Sequence, residues 1–319
     1  ENSELKHQIT KAAEEHLPEG AIFGSNTSTI PITSLAEASS RPENFIGIHF
    51  FSPVEKMNLV ELIVGEKTGD AAVSLALDFV GKIKKTPIVV ADTRGFYANR
   101  CVMRYIEQGM YMLTEGVKPA LIENAAKMAG MPVGPLSLQD EVAIDLGYKV
   151  LQQTKKDLGD AFEETPNAEV IEKMYALGRY GRKNKKGFYV YTDDGKQLWD
   201  ELDQFAPNGK LLEDQPSVDE LKDRILYAQA IEAARTMEEN IVADPREADV
   251  GSILAWGFAP YTGGVLSYID TIGAANFVKR ADELKARYGK PFEVPQLLRE
   301  MADKAETFYA RFNPEKAAA

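Results

Sequence analysis

Helical and strand patterns alternate over the first 94 residues of this chain, and long helical patterns dominate from about residue 96. The first block has the order helix, strand, helix, strand, strand, helix, strand, with apolar strands such as "FIGIHFF" and "NLVELIVG". Such alternation is typical of a sheet covered by helices. The sequence therefore predicts an α/β domain over residues 1–94, followed by an all-α region.

The first block lacks the glycine-rich turn with which a nucleotide-binding sheet normally opens. Such folds begin with a strand, a G-x-G-x-x-G turn and a helix whose N-terminus holds the pyrophosphate, and no G-x-G-x-x-G occurs in the 319 residues. If this block binds a dinucleotide, it corresponds to the C-terminal half of a Rossmann-type domain. The chain also starts without methionine, in a charged helix, so we expect it to be a piece of a longer protein.

The helical region contains two similar blocks. Arg100 stands 15 residues before Glu115 in the first, and Arg224 stands 15 residues before Glu239 in the second. In each block a helix ending at glycine follows, and then a turn with proline and glycine, "AGMPVGPLSLQD" or "WGFAPYTGGVLSYID". Internal similarity of this kind indicates a tandem duplication, which lets one chain build an internal pseudo-dimer. The predicted boundaries are 95–194 for the first helical domain, 195–217 for a linker and 218–319 for the second helical domain.

Composition excludes several classes of protein. The formal net charge of −12 argues against nucleic acid or an anionic membrane as a partner. No run of about 18 apolar residues is present, so we expect no membrane insertion. The single cysteine, Cys101, excludes an internal disulfide framework. We expect a cytoplasmic protein.

His49 and Glu61 are ionisable residues inside two otherwise apolar strands. His49 lies near the C-terminal end of its strand, where ligands bind in open α/β sheets. Glu61, on the next strand, is placed to accept a hydrogen bond from the imidazole, which would fix its tautomer and make it an oriented base. The alternative stays open at this point, because a lone histidine on an apolar strand is more often a satisfied core residue and structural networks contain such pairs too.

Four segments together resemble the 3-hydroxyacyl-CoA dehydrogenases of fatty-acid β-oxidation: "GSNTSTIPITSLA", "FIGIHFFSPVEKMNLVELI", "DTRGFYANR" and "MAGMPVGPLSLQDEVAID". The duplicated helical region, with "GRKNKKGFYVY" between the copies, resembles the dehydrogenase part of the multifunctional oxidation proteins. The resemblance implies NAD-dependent oxidation of 3-hydroxyacyl-CoA to 3-oxoacyl-CoA. It also implies an acyl-CoA substrate, a preceding enoyl-CoA hydratase domain and a thiolase subunit as partner.

The resemblance implies roles for individual residues. His49 is the expected base and Glu61 its partner, while Ser28 and Asn99 are expected to bind the substrate; a turn hydroxyl and a helix cap are the ordinary structural roles of the latter two. The residues expected to bind the cofactor are Glu1, Lys6, Asn26 and Ser52, the last at a position where many relatives have asparagine. No metal site is predicted.

Two other functions compete with this prediction. The chain could be a non-catalytic helical assembly module with a partial sheet, and the missing glycine-rich turn is the feature that favours this alternative. It could also be another hydroxyacid dehydrogenase, but such enzymes usually use a lysine base and the "HFF-x-P" context does not fit them. We predict that the parent protein is the enzyme, and that this chain alone is weakly active or inactive because the pyrophosphate has no helix N-terminus to bind.

Overall fold

The chain divides into two units, and a four-stranded sheet organises the first of them. The structure is a computed structural model that describes residues 2–312, without the side chains of residues 157 and 158. The sheet unit comprises the residues up to Val102 together with those from Gln229 onward. The helical unit comprises Met103–Ala228. Both ends of the chain therefore contribute to the unit that contains the sheet.

The sheet has the order β1-β2-β3-β4. β1 is parallel to β2, β2 is antiparallel to β3, and β3 is parallel to β4. The strands are β1 Phe23–Ser25, β2 Phe45–Phe50, β3 Leu59–Val64 and β4 Thr86–Ala91. The helices that precede or connect them are α1 Ser3–Glu14, α2 Ile32–Ala36 and α3 Asp70–Lys82. This observed order agrees with the alternation in the first block of the sequence.

Helices make up most of the remaining chain. The first block contains α4 Ala98–Thr114, α5 Pro119–Met128, α6 Pro135–Val142, α7 Ile144–Leu158 and α8 Pro166–Ala176. A hairpin of β5 Tyr189–Thr192 and β6 Gly195–Leu198 follows. The second block contains α9 Val218–Glu238, α10 Pro245–Trp256, α11 Val265–Ile272, α12 Ala274–Tyr288, α13 Gln296–Lys304 and α14 Phe308–Arg311. Within the described part of the chain, no helix is long and apolar enough to cross a membrane.

Both faces of the sheet are covered, which explains why its central strands are almost continuously apolar. Ile46, Ile48, Val60 and Leu62 form a core with α3. Because side chains alternate along a strand, His49 and Glu61 point to the opposite face, where α2 contacts β2 and α10 contacts β3 and β4. The covering on that face is tight: a Cβ atom on Gly47 would lie 2.8 Å from side-chain atoms of Ile32 and Ile63.

The outer edge of β4 is bonded to the C-terminal part of the sheet unit. The N–H of Val89 donates to Glu247 Oε1 at 3.1 Å, and the N–H of Ala91 donates to the Ile241 carbonyl at 2.8 Å. An edge strand with unpaired N–H groups invites pairing with other chains. The region around α10 therefore closes this edge.

Two buried carboxylates hold the helical unit together. Glu123 on α5 accepts from the Leu136 N–H at the start of α6 at 2.8 Å and from the Tyr189 hydroxyl at 2.7 Å. Asp140 on α6 accepts from the N–H groups of Phe188 and Tyr189 at 2.8 and 2.9 Å. Burial raises the pKa of Asp140 to about 6, against these N–H donors, which favour the charged form.

The same pattern of contacts occurs in the sheet unit. Asp249 on α10 accepts from the Leu266 N–H at the start of α11 at 2.7 Å and from the Tyr309 hydroxyl at 2.8 Å. Asp270 on α11 accepts from the N–H groups of Phe308 and Tyr309 at 2.9 and 3.4 Å. In both units a carboxylate thus caps the third helix of a block, and a second carboxylate binds the segment that carries the tyrosine.

Arginines make matching ion pairs in the two units. In the helical unit, Arg224 donates to both carboxylate oxygens of Glu115, at 2.5 and 2.8 Å, and to Gln108 at 3.3 Å. In the sheet unit, Arg100 pairs with Glu239 and with Glu232, the latter at 2.8 Å. Burial alone would lower the pKa of Arg100, but the two carboxylates outweigh it and raise the pKa.

One predicted segment differs from the structure. Residues 195–217 were expected to form a linker, but β6 occupies the first four of them and pairs with β5 in register Tyr189↔Leu198. The hairpin is stabilised by its backbone ladder, although "GKQL" is too polar to show a strand pattern. The two units also divide the chain inside α4 and α9, and not at the predicted domain boundaries, which remain predictions about sequence blocks.

We predict that Arg224→Met lowers the free energy of unfolding by about 2–3 kcal/mol, because the Arg224 side chain is 1% exposed and its loss leaves the Glu115 carboxylate without its cation. Urea denaturation measures the change. Arg246→Met is the matched control, since Arg246 pairs with Asp244 on the surface and should have little effect. Equal effects of the two substitutions would contradict the prediction.

Candidate active site

His49 and Glu61 lie directly opposite each other on the antiparallel strands β2 and β3. His49 Nδ1 and Glu61 Oε2 are 2.9 Å apart. The histidine is 3% exposed and the glutamate is fully buried. An isolated carboxylate at such a position would be strongly unfavourable, so its hydrogen-bond partners determine whether the site is stable.

Three N–H groups satisfy the Glu61 carboxylate. Besides His49, the backbone N–H groups of Tyr97 and Ala98 donate to Oε1, at 2.9 and 3.0 Å. Their direction follows from the preceding turn, in which both Gly95 and Phe96 have positive φ angles, 77° and 52°. A positive φ is unfavourable for a bulky side chain such as Phe96, and residues held in this way cluster at functional sites.

The carboxylate determines the proton on the imidazole. An ionised Glu61 only accepts hydrogen bonds, so His49 Nδ1 carries the proton and Nε2 of the neutral ring is an acceptor. Ser28 Oγ lies 3.1 Å from Nε2. The serine hydroxyl therefore donates to the free lone pair of the histidine. An oriented imidazole with a hydroxyl at Nε2 is suited to removing a proton from an alcohol.

Two asparagines fix the loop after β1. Asn99, in the first turn of α4, donates from Nδ2 to the Ser28 carbonyl at 2.8 Å. Asn26 Oδ1 accepts from the N–H of Phe50, the residue after His49, at 3.0 Å. The Asn99 side chain thus bonds the serine backbone, and the substrate-binding role expected of Asn99 stays a prediction.

Aromatic rings surround the imidazole. The rings of Phe51 and Phe96 have centroids 4.6 and 5.9 Å from that of His49, both tilted. They shield the pair from water, which strengthens the interaction of the imidazole with Glu61. The site therefore combines a dry, fixed acid–histidine pair with an exposed polar residue, Asn26, at the end of β1.

The structure brings together five residues predicted as site residues: Ser28, His49, Glu61, Asn99 and Asn26. The three other residues predicted to bind the cofactor are not part of this group. Ser52 lies in the exposed bend just after β2, and Lys6 is half-buried on α1. Glu1 lies outside the described residues. The assigned roles of all eight remain predictions.

Sequence reasoning missed the backbone donors of Tyr97 and Ala98. The signal that could have found them is the "TRGFYANR" segment itself, because glycine followed by a bulky residue just before a helix is typical of a turn that leaves helical N–H groups free.

We predict that Glu61→Gln changes the tautomer of His49, since the glutamine amide would place a donor against Nδ1 and move the proton to Nε2. We also expect the free energy of unfolding to fall by about 2 kcal/mol, because a charged hydrogen-bond acceptor in the core is lost. Histidine ¹⁵N NMR and urea denaturation measure the two effects. Glu66→Gln is the control on an exposed residue just after the same strand; an unchanged tautomer in Glu61→Gln would refute the assignment.

Two family models match the chain. Residues 1–93 match the model described as 3-hydroxyacyl-CoA dehydrogenase, NAD binding domain, and residues 95–191 match the C-terminal domain of the same family. Together they cover more than half of the 319 residues. The first match identifies NAD as the cofactor of this domain.

Known proteins give the same result. The fatty acid oxidation complex subunit alpha of Shewanella halifaxensis is 44% identical over 314 residues, which is 97% of this chain and 43% of that protein. The chain thus spans less than half of the length of this relative. The crystal structure of 3-hydroxybutyryl-CoA dehydrogenase from Escherichia coli, at 21% identity, has a TM-score of 0.79 over 96% of this chain and 80% of that one, which shows a common fold.

A second solved structure is closer in sequence over a shorter range. (S)-3-hydroxybutyryl-CoA dehydrogenase from Ralstonia eutropha is 36% identical, with a TM-score of 0.54, over 60% of this chain and 68% of that one. The resemblance in the sequence is therefore confirmed at the level of the family. The matched domain models and these relatives show that the chain belongs to the 3-hydroxyacyl-CoA dehydrogenase family.

Proposed function

We propose that this chain carries the catalytic centre for NAD-dependent oxidation of 3-hydroxyacyl-CoA to 3-oxoacyl-CoA in fatty-acid β-oxidation. The observation that supports this proposal best is the chain of contacts from Glu61 through His49 to the Ser28 hydroxyl. It leaves one basic nitrogen, Nε2, oriented toward a hydroxyl group. Removal of a hydroxyl proton is the step for which a dehydrogenase of this family needs a base.

In the proposed reaction, the substrate hydroxyl occupies the hydrogen-bonding position at His49 Nε2, beside Ser28 Oγ. Its proton moves to Nε2 as the C3–H bond breaks, and the C3–O bond becomes a carbonyl. NAD, when bound, would supply the acceptor for the hydride that leaves C3. The imidazole gains a positive charge in this step, and Glu61, held by three donors, stabilises that charge without having to reorient.

Ser28 and Asn99 are the proposed substrate-binding residues. The Ser28 hydroxyl donates to His49 Nε2 in this structure, and we infer that it turns to the substrate oxygen when the alcohol binds. Asn99 holds the Ser28 backbone, so that the serine keeps its place when its hydroxyl changes partner. A rigid loop of this kind keeps the reacting oxygen within reach of the base.

We assign the nicotinamide end of NAD to residues at the carboxyl ends of β1 and β2. The Asn26 side chain is exposed at the carboxyl end of β1 and the Ser52 hydroxyl follows β2, which is the part of an open sheet where dinucleotides bind. Lys6 on α1, and Glu1 before it, are the remaining proposed cofactor residues. The pyrophosphate lacks its usual glycine-rich turn in these 319 residues. We therefore propose that residues 1–94 are the later half of the NAD-binding domain.

We also infer that the helical region arose by tandem duplication. Glu123 and Asp249 cap equivalent helices, Tyr189 and Tyr309 donate to them, and Arg100 and Arg224 make equivalent ion pairs. Such agreement in side chains with different local sequences supports a common origin for the two blocks.

The partners follow from the relatives. The Shewanella halifaxensis protein is named as the alpha subunit of a fatty acid oxidation complex. We propose an acyl-CoA substrate, an enoyl-CoA hydratase domain in the same protein and a thiolase as the other subunit. The alternative, a non-catalytic assembly module, is favoured only by the absent glycine-rich turn.

In the full-length protein, we predict that His49→Gln lowers kcat by about 10²-fold or more, with little change in KM, because the base acts in the chemical step. NADH formation from 3-hydroxyacyl-CoA measures this. His16→Gln is the control, since His16 is exposed on the surface after α1. An unchanged kcat for His49→Gln would remove His49 from the role of base, and no oxidation by the unmodified protein would favour the assembly module.

For the 319-residue chain by itself, we predict weak or no oxidation of 3-hydroxyacyl-CoA, because a glycine-rich turn for the pyrophosphate is absent from its sequence. Calorimetric titration with NAD and an NADH assay test this on a product of verified mass. Turnover comparable to that of the full-length protein would contradict it.

A further inference from the structure

Tyr97 connects the Glu61 carboxylate to α10. Its backbone N–H donates to Glu61 Oε1 at 2.9 Å. Its side chain is fully buried, and its hydroxyl donates to the carbonyl of Ala248, in the C-terminal part of the sheet unit, at 2.8 Å. Burial raises the pKa of the Tyr97 hydroxyl well above its ordinary value, so it remains a donor throughout the physiological range.

The ring of Tyr97 is held on two further sides by α10. Its centroid lies 5.6 Å from that of Trp256, edge to face, and the Trp256 Nε1–H is itself fixed by Gln229 at 2.9 Å. Gly251 provides the space for the ring, since a Cβ atom there would lie 3.0 Å from both Tyr97 and Ile88. The ring thus lies in a pocket that is specific in shape, and the hydroxyl has a specific hydrogen-bond acceptor.

This pocket matters because the backbone conformation of the turn before Tyr97 is unfavourable by itself. Phe96 has a φ of 52°, a conformation that persists only when the surrounding structure enforces it. If the Tyr97 side chain loosened, Phe96 could return to a negative φ, and the N–H groups of Tyr97 and Ala98 would turn away from Glu61. The carboxylate would then lose two of its three N–H donors, keep the one from His49 and lose its fixed orientation.

We propose that Tyr97 is a positioning residue through which α10, from the second helical block, sets the Glu61–His49 pair. The second block would then contribute to catalysis from a distance, without a residue that touches substrate. Arg100 strengthens this link, because it binds the first turn of α4 to Glu232 on α9 and to Glu239 just after α9. The kinetic consequence rests on the proposed function, while the effect on His49 does not.

Tyr97→Phe tests the proposal, because it removes one hydroxyl and retains the ring. The matched control is Tyr105→Phe: Tyr105 is equally buried on α4, and its hydroxyl donates to the Val133 carbonyl of the helical unit at 2.5 Å. In the full-length protein we expect Tyr97→Phe to lower kcat about 10-fold at unchanged KM, a smaller loss than a 1 Å displacement can cause. Tyr105→Phe should lower stability by a similar amount and leave kcat as it was.

A second readout needs no activity. The 319-residue chain has three histidines, so ¹⁵N-histidine NMR of this chain resolves the Nδ1–H proton of His49. The signal is assigned by its loss in His49→Gln. We expect this proton to exchange faster with solvent in Tyr97→Phe and to be unchanged in Tyr105→Phe. If oxidation is absent in every protein, the proposed function fails and this spectrum alone decides the role of Tyr97.

Gly251→Ala is the second variant, and it applies if Tyr97→Phe does not fold. Its methyl group must displace the Tyr97 ring by a few tenths of an ångström, from a position on α10. We expect the same loss of kcat and the same faster exchange at His49. If Tyr97→Phe or Gly251→Ala changes only the free energy of unfolding, with kcat and the His49 spectrum as in Tyr105→Phe, Tyr97 is merely structural and the proposal is overturned.

Discussion

A buried carboxylate is the constraint on which the rest of this structure depends. Glu61 is fully buried in the middle of a sheet, where an unpaired charge would cost several kcal/mol or more. Two of its three donors directly follow a turn with unfavourable backbone angles, so the turn and the carboxylate stabilise each other. The third donor is the imidazole, whose tautomer and orientation follow from the charge beside it. The local geometry of the site is thus a consequence of satisfying one acid.

Local patterns were enough to predict the sheet and the histidine–glutamate pair. Continuous apolar runs around His49 and Glu61 extend over six-residue strands, and antiparallel pairing then follows from the short connection between them. The family was recognisable for the same reason, because its motifs are continuous segments. Ser28 and Asn99 were predicted from the family alone, and the structure adds that one residue holds the other in place.

Contacts between distant parts of the chain were not predictable in this way. Tyr97 and Ala248 are separated by 151 residues, and nothing in either local sequence indicates the other. The hairpin strand β6 was missed because its polar residues carry no strand pattern and its structure depends on the register with β5. The two helical blocks looked alike in sequence, but their different surroundings are visible only in the structure: the carboxylate on α10 belongs to the unit that contains the sheet, and the one on α5 does not.

The composition of the sheet unit from both ends of the chain has a consequence for synthesis. Its strands leave the ribosome before its C-terminal helices. The residues that bond the edge of β4 and the Tyr97 hydroxyl follow about 150 positions later. During translation the outer edge of β4 therefore stays unpaired until these residues are made. An unpaired strand edge is the kind of exposed surface that attracts chaperones and promotes misassembly. A nascent chain of this protein would complete the surroundings of His49 late, only when α10 has emerged.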